Sequence, residues 1–152
     1  MIGAVHVGVG AALGALLREN NSAFLAGLAS HAVTDAMPHW DFRPEVEVPL
    51  LAAALAGIAV WKGTDSPEFW GGLGAVAPDL EHAMHLTGLI EPHQKMFPTH
   101  LDNGRYHGRR SKRRWPQLVV AVGSLLTIAL SARQAPRRSS CKPRSPRSRQ
   151  PR

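Results

Sequence analysis

Five apolar segments, near residues 2–18, 22–37, 47–62, 69–87 and 116–132, show no clear polar face, and this limits the fold more than any other feature. Apart from His6, residues 2–17 hold no side chain more polar than glycine. Residues 48–61 and 118–130 are similar, with Ser124 and Thr127 the polar members of the latter. A surface helix of a soluble bundle keeps one charged face. The segments run about 14 to 18 residues, and a full membrane span takes about 20. Their Ala and Gly content suits close helix packing in lipid. The expected fold is therefore all-α: a small helical bundle of four to five short transmembrane helices, spanning residues 1–132. A soluble Ala-rich bundle is the competing arrangement, but it would need an exterior face that these segments do not supply.

The breaks between segments carry their own signals. Asn20, Asn21 and Ser22 offer a break and an N-cap before the second helix. Pro38 and Pro44 end that helix, and Pro49 is expected in the first turn of the third, where a missing amide proton is harmless. Residues 63–67 form the next break, and a polar connector follows over roughly 87–114. Trp40, Trp61, Trp70 and Trp115 lie near segment ends, as an interfacial aromatic belt requires.

Charge is split along the chain. All 11 acidic residues lie at or before Asp102, whereas only Arg18, Arg43, Lys62 and Lys95 of the 18 Lys and Arg precede Gly104. Residues 133–152 hold eight basic residues, four prolines and no aliphatic side chain larger than Ala. Such a segment cannot bury enough apolar surface to offset chain entropy, so it is expected to be a disordered basic tail. It has no aromatic to stack on bases, which argues against specific nucleic-acid binding and leaves an electrostatic contact with anionic lipid. Basic clusters flank the last helix on both sides, so the positive-inside rule gives no orientation. The single cysteine, Cys141, excludes an intrachain disulfide and a Cys-based zinc site.

The polar residues inside the apolar segments point to chemistry. His31 and Asp35 stand four apart, on one helix face, and His39 follows just past Pro38. The fourth segment repeats the theme: Asp79 and His82 are three apart, within Pro78-Asp79-Leu80-Glu81-His82. Imidazole and carboxylate together suit a borderline divalent ion such as zinc. Each histidine alone is as readily structural as functional. Two helices that each carry a His/carboxylate pair are harder to explain that way. Ionisable groups at membrane depth are costly and usually functional. The expected metal ligands are His6, His31, Asp35, His39, Asp79 and His82.

These positions carry a resemblance. His6, the Pro78-Asp79-Leu80-Glu81-His82 run and the later His100 and His107 resemble the small inner-membrane family of membrane-bound metal-dependent hydrolases. The likeness covers roughly residues 3–110. The closing segment departs from the family, with six residues between His100 and His107 and Gly108 where serine is usual. His31-x-x-x-Asp35 is also similar to the His-x-x-x-Asp zinc motif of zinc-dependent phospholipases C. The resemblance implies a multi-pass inner-membrane protein that uses a divalent metal, most simply zinc, to hydrolyse a substrate it does not name.

From metal chemistry, a site of this kind activates water, with Glu81 or Asp41 as the general base. His100, His107, Arg105 and Arg109 are the expected substrate contacts, the arginines as clamps on a phosphate. A phosphoester or membrane lipid substrate is consistent with this set. The rival expectation is a non-enzymatic membrane metal- or haem-binding protein. Against haem, the chain has no Cys-x-x-Cys-His, and haem would not need Asp35 or Asp79. No Gly-x-Ser-x-Gly occurs, which disfavours serine catalysis.

Overall fold

Each helix begins at a local cue. The computed structural model describes residues 1–97, 108 and 111–133. Among them are five α-helices: α1 (Gly3–Leu17), α2 (Asn20–Ala36), α3 (Pro44–Lys62), α4 (Pro67–Leu86) and α5 (Trp115–Arg133), with a short 3₁₀ turn at Pro92–Gln94. The all-helical expectation holds, and no strand occurs among the described residues. His100, Arg105, His107 and Arg109, and the tail beyond Arg133, lie outside the described residues.

Three helix starts differ from expectation. Helix α2 begins at Asn20, because the Glu19 carboxylate caps it, accepting from the Asn21 amide at 2.9 Å and the Ser22 amide at 2.6 Å. A glutamate can cap when its chain folds back over its own first turn, so Asn20–Ser22 are helical and not a break. Helix α3 begins at Pro44, with Glu45 and Glu47 in its first turn. Both features favour a helix start, proline by its fixed φ and the acids by the helix dipole. Pro49 is therefore inside α3 and removes a backbone bond there. Helix α4 begins at Pro67, inside the expected break: Ser66 Oγ caps it, accepting from the Phe69 amide at 3.1 Å, and Pro67 takes the first helical position.

Glycines set how α1, α2 and α4 meet. These three helices pack on one another, and α3 and α5 pack against α1. A Cβ added to Gly10 of α1 or to Gly27 of α2 would strike the Gly71 carbonyl of α4. One added to Gly74 would strike the Phe24 carbonyl of α2. Backbones touch directly, as small-residue interfaces permit. A core of Val7, Ala11, Ala12, Ala15, Ile58, Val76 and Ile128 fills the remaining space. Gly71→Ala is expected to destabilise the fold by at least about 1–3 kcal/mol, because backbone cannot retreat as a side chain can. Gly57→Ala is the control: nothing lies within 4 Å of its added Cβ. It should be neutral or stabilising, since alanine is the better helix former. Thermal unfolding of the two variants under the same conditions checks the contrast.

Much of the exposed surface of α3 and α5 is apolar. Helix α3 is the one described helix long and apolar enough to cross a membrane, and Ile58 is its only buried residue. Helix α1 and the apolar stretch Trp115–Ser131 of α5 are shorter. On α5, Leu118, Val119, Val122, Leu125, Leu126 and Leu130 all face outward.

Candidate metal centre

The centre forms where α1, α2 and α4 converge. His6 of α1 and His31 of α2 are completely buried, and their rings stack with centroids 4.2 Å apart and planes 22° from parallel. Both Nε2 atoms face one carboxylate: His6 Nε2 is 3.0 Å from Asp35 Oδ1, and His31 Nε2 is 3.2 Å from Asp35 Oδ2. Asp79 reaches across from α4, its Oδ1 3.8 Å from His31 Nε2. His6, His31 and Asp79 place ligand atoms within 4.8 Å of one another, a group able to hold a metal ion. Asp35 adds a second carboxylate at hydrogen-bond distance from both rings.

The far side of each ring fixes its proton. His31 Nδ1 lies 2.8 Å from the Ala75 carbonyl, which only accepts, so Nδ1 is the donor. Thr34 Oγ1 gives its hydrogen to the Ser30 carbonyl at 2.8 Å, so it accepts from His6 Nδ1 at 2.9 Å. Both rings, when neutral, therefore turn a bare Nε2 toward the carboxylates. A metal-ligating histidine characteristically shows this: one nitrogen bonded to a carbonyl or hydroxyl, the other aimed at the ion. Near-parallel rings with both Nε2 atoms toward Asp35 leave no room between them for a haem plane. Thr34→Val keeps the shape of the side chain and removes the acceptor for His6. It is expected to weaken metal affinity by about 10–100-fold, the usual effect of losing such a partner, as read by competitive zinc titration.

A second group adjoins Asp35. The Met1 amino nitrogen lies 2.7 Å from Asp35 Oδ1 and 3.4 Å from Asp41 Oδ1. Asp41 Oδ1 is in turn 3.3 Å from Nε2 of the fully buried His39. His39 Nδ1 donates to the Met37 carbonyl at 2.7 Å. Burial works against a charged His39, but the Asp41 hydrogen bond and the Met37 carbonyl outweigh it and raise its pKa. Burial likewise works against ionised Asp41, but the His39 hydrogen bond and the nearby amino group hold its pKa below the ordinary carboxylate value.

The loop that carries His39 and Asp41 is held from outside. The Ser111 amide donates to the His39 carbonyl at 2.6 Å, and the Gly108 amide to the Asp35 carbonyl at 2.6 Å. At the start of α5, buried Gln117 donates from Nε2 to the Trp40 carbonyl at 2.8 Å and accepts from the Ile2 amide at 3.1 Å.

A cleft of about 490 Å³ opens beside these groups. Val48, Leu51 and Leu55 of α3 and Leu73, Val76, Leu80, Ala83 and Leu86 of α4 form its walls. Asp35, Asp41, Glu47, Asp79 and His82 supply its polar lining.

Of the expected ligands, the structure brings His6, His31, Asp35 and Asp79 together and sets His39 beside them through Asp41. His82 lies on the Asp79 face of α4 and lines the cleft. Glu81, expected as a base, is two residues from Asp79 and so points to another side of the helix. Its carboxylate accepts from the Met96 amide and from the Phe97 amide at 3.0 Å, which anchors the connector. Sequence reasoning did not single out Thr34, Glu47 or Gln117. Thr34 stood between His31 and Asp35, and Gln117 followed Pro116 at the head of an apolar run. Glu47 accepts from the Gly3 amide and, at 3.3 Å, from Phe42, a long-range pairing that the sequence does not signal.

Comparison with protein-family models, curated proteins and solved structures gave no match.

Proposed function

We propose that the chain is a membrane-embedded, zinc-dependent hydrolase acting on a lipid. The observation that carries this reading is the pair of stacked histidines, each held through Nδ1 and directed through Nε2 at a carboxylate. Two imidazoles and two carboxylates, without a thiolate, suit zinc. When bound, the cation supplies polarisation of an ester or phosphoryl oxygen and acidification of a water molecule to near neutrality. His6, His31, Asp35 and Asp79 would hold it. With Glu81 turned to the connector, Asp41 is the expected base that adjoins the centre.

Membrane residence is supported by the outward-facing leucines and valines of α5 and by the nearly unburied α3. Trp61 and Trp115 are exposed at helix ends, where a bilayer interface would fall. In this reading α1, α2, α4 and α5 complete a multi-pass bundle in an inner membrane. The cleft supports the substrate class, because its apolar walls lead to a polar end, as an acyl chain with a hydrolysable head requires.

The test is metal analysis of the purified chain together with hydrolysis of a panel of phospholipids and lipid esters. Metal-dependent release of a head group or acyl chain is expected. Leu55→Trp, which fills the cleft wall, should lower turnover of long-chain substrates by about tenfold or more and spare short-chain analogues. Bound metal with no hydrolysis across the panel would replace this reading with a non-enzymatic metal-binding protein.

A further inference from the structure

We propose that the cleft takes a phospholipid with an anionic head, whose phosphate is bound at the cleft mouth by Arg43 and Arg114. This rests on the reading of the cleft as a lipid site and names the class of lipid.

Aromatic rings join the two arginines to the cleft. Phe42 and Pro44 both line it, and Arg43 stands between them in the chain, exposed. Trp40 packs edge-on against Phe42, with ring centroids 4.5 Å apart. The guanidinium carbon of Arg114 lies 4.1 Å from the centre of the Trp40 ring. An arginine held by a ring face keeps the N–H donors in its own plane for a second partner. Arg114 is exposed too, and among the described residues neither arginine has a carboxylate within ion-pair distance. Guanidinium groups of this kind grip phosphate oxygens in pairs.

The mouth is built before any ligand arrives. Residues on both sides of Arg114 are tied to the loop that carries Trp40. The Ser111 amide donates to the His39 carbonyl, and the Gln117 side chain donates to the Trp40 carbonyl. Lys112 and Arg113, both exposed, extend the positive field. Helix α5 begins beside them at Trp115 with no acid in its first turn, so its dipole adds to that field.

The surroundings favour a lipid head over a free phosphate. Trp115 is exposed next to Arg114, and Leu118, Val119 and Val122 continue outward along α5. Basic residues beside an exposed tryptophan, at the end of an apolar helix face, suit the level of phospholipid heads. From Arg43 the α3 wall of the cleft runs on through Val48, Leu51 and Leu55. A head held at the arginines therefore leaves its acyl chain along an apolar wall. A zwitterionic head would bring its own ammonium against these cations, and an anionic head does not.

The experiment is native mass spectrometry of the full purified chain, released from mixed micelles that hold equal amounts of phosphatidylglycerol and phosphatidylcholine of the same chain length. A chelator is present, so that no hydrolysis intervenes. Retention of phosphatidylglycerol over phosphatidylcholine by about tenfold or more is expected, with Arg43→Gln and Arg114→Gln each lowering that ratio by about fivefold, the worth of one basic residue at an anionic surface. Arg18→Gln is the control, an exposed arginine at the end of α1 remote from His6, and should leave the ratio unchanged. Equal retention of the two lipids by the unaltered chain overturns the proposal. So does an equal loss in Arg18→Gln, which would trace the preference to the charge of the whole chain. Displacement of the lipid by soluble glycerophosphate at matching concentration assigns the arginines to a free phosphate and overturns the lipid assignment. The hydrolase reading is judged separately, with metal restored. A kept preference without hydrolysis sinks that reading and supports this site. Hydrolysis of anionic and zwitterionic lipids alike, with no preference in binding, keeps that reading and overturns this one.

Discussion

Asp35→Asn is expected to empty the metal centre, lowering affinity by more than about 100-fold, beyond what loss of a supporting partner costs. The reason is position. Asp35 is 1 % exposed and touches His6, His31 and the Met1 amino group. An amide keeps its shape but loses the charge that attracts a divalent cation, and a neutral amide is a poor zinc ligand. A buried charge with ionic partners also stabilises the fold, and removing one member of such a set typically costs about 3–5 kcal/mol. Metal loss in Asp35→Asn alone would therefore leave a ligand and a structural role entangled. Asp79→Asn separates them. The Asp79 side chain is 27 % exposed, on the cleft side of His31, so its loss should cost far less stability. If Asp79 is a ligand, this variant should melt near the unaltered chain and still bind metal much more weakly. Full zinc occupancy in both variants, measured by elemental analysis, would remove the ligand assignment at its centre.

Those two carboxylates also show what the sequence could reveal. His31 and Asp35 were legible because i,i+4 spacing puts both on one helix face whatever the tertiary fold. Asp79 was legible as a carboxylate on a second apolar helix, and the crossing of α2 on α4 then brought it to His31. That crossing was only half visible. The glycines at 27, 71 and 74 advertised close packing, but which backbones they bring together is decided in three dimensions. Asp79 and Glu81, read from one run as ligand and base, were expected at one site, and helical rotation over two residues separates them. The partners of the ring Nδ1 atoms were less accessible still. The Ala75 and Met37 carbonyls carry no side-chain signature, since every residue offers a carbonyl. Helix ends shifted for a similar reason. Glu19 caps α2 by folding back on it, a choice that its residue type does not announce.

The second large effect is on pH. Because His6 and His31 both meet the centre through Nε2, each must be unprotonated there to bind a metal. Below the pKa of a ring, a proton competes for that nitrogen, and affinity falls about tenfold for each pH unit. Two rings acting together give about a hundredfold for each unit once the pH lies below the pKa of both. The carboxylates do not contribute over the same range, because they ordinarily titrate near about pH 4. The direction follows from these rules: metal is held at neutral pH, released as the pH falls through the imidazole range, and taken up again on neutralisation. A centre built from Asp35 and Asp79 alone would keep its ion well past that range. Zinc occupancy measured against a competing chelator of known proton dependence, pH step by pH step, gives the slope directly. A slope of two protons per ion places both stacked histidines on the metal. A slope that stays at one down to the lowest pH at which the fold persists would leave only one of them there, and the shared role inferred from their common carboxylate would fail. Chemical denaturation followed at the same pH values keeps the result specific, since the fold should outlast the metal if release comes from ring protonation and not from unfolding.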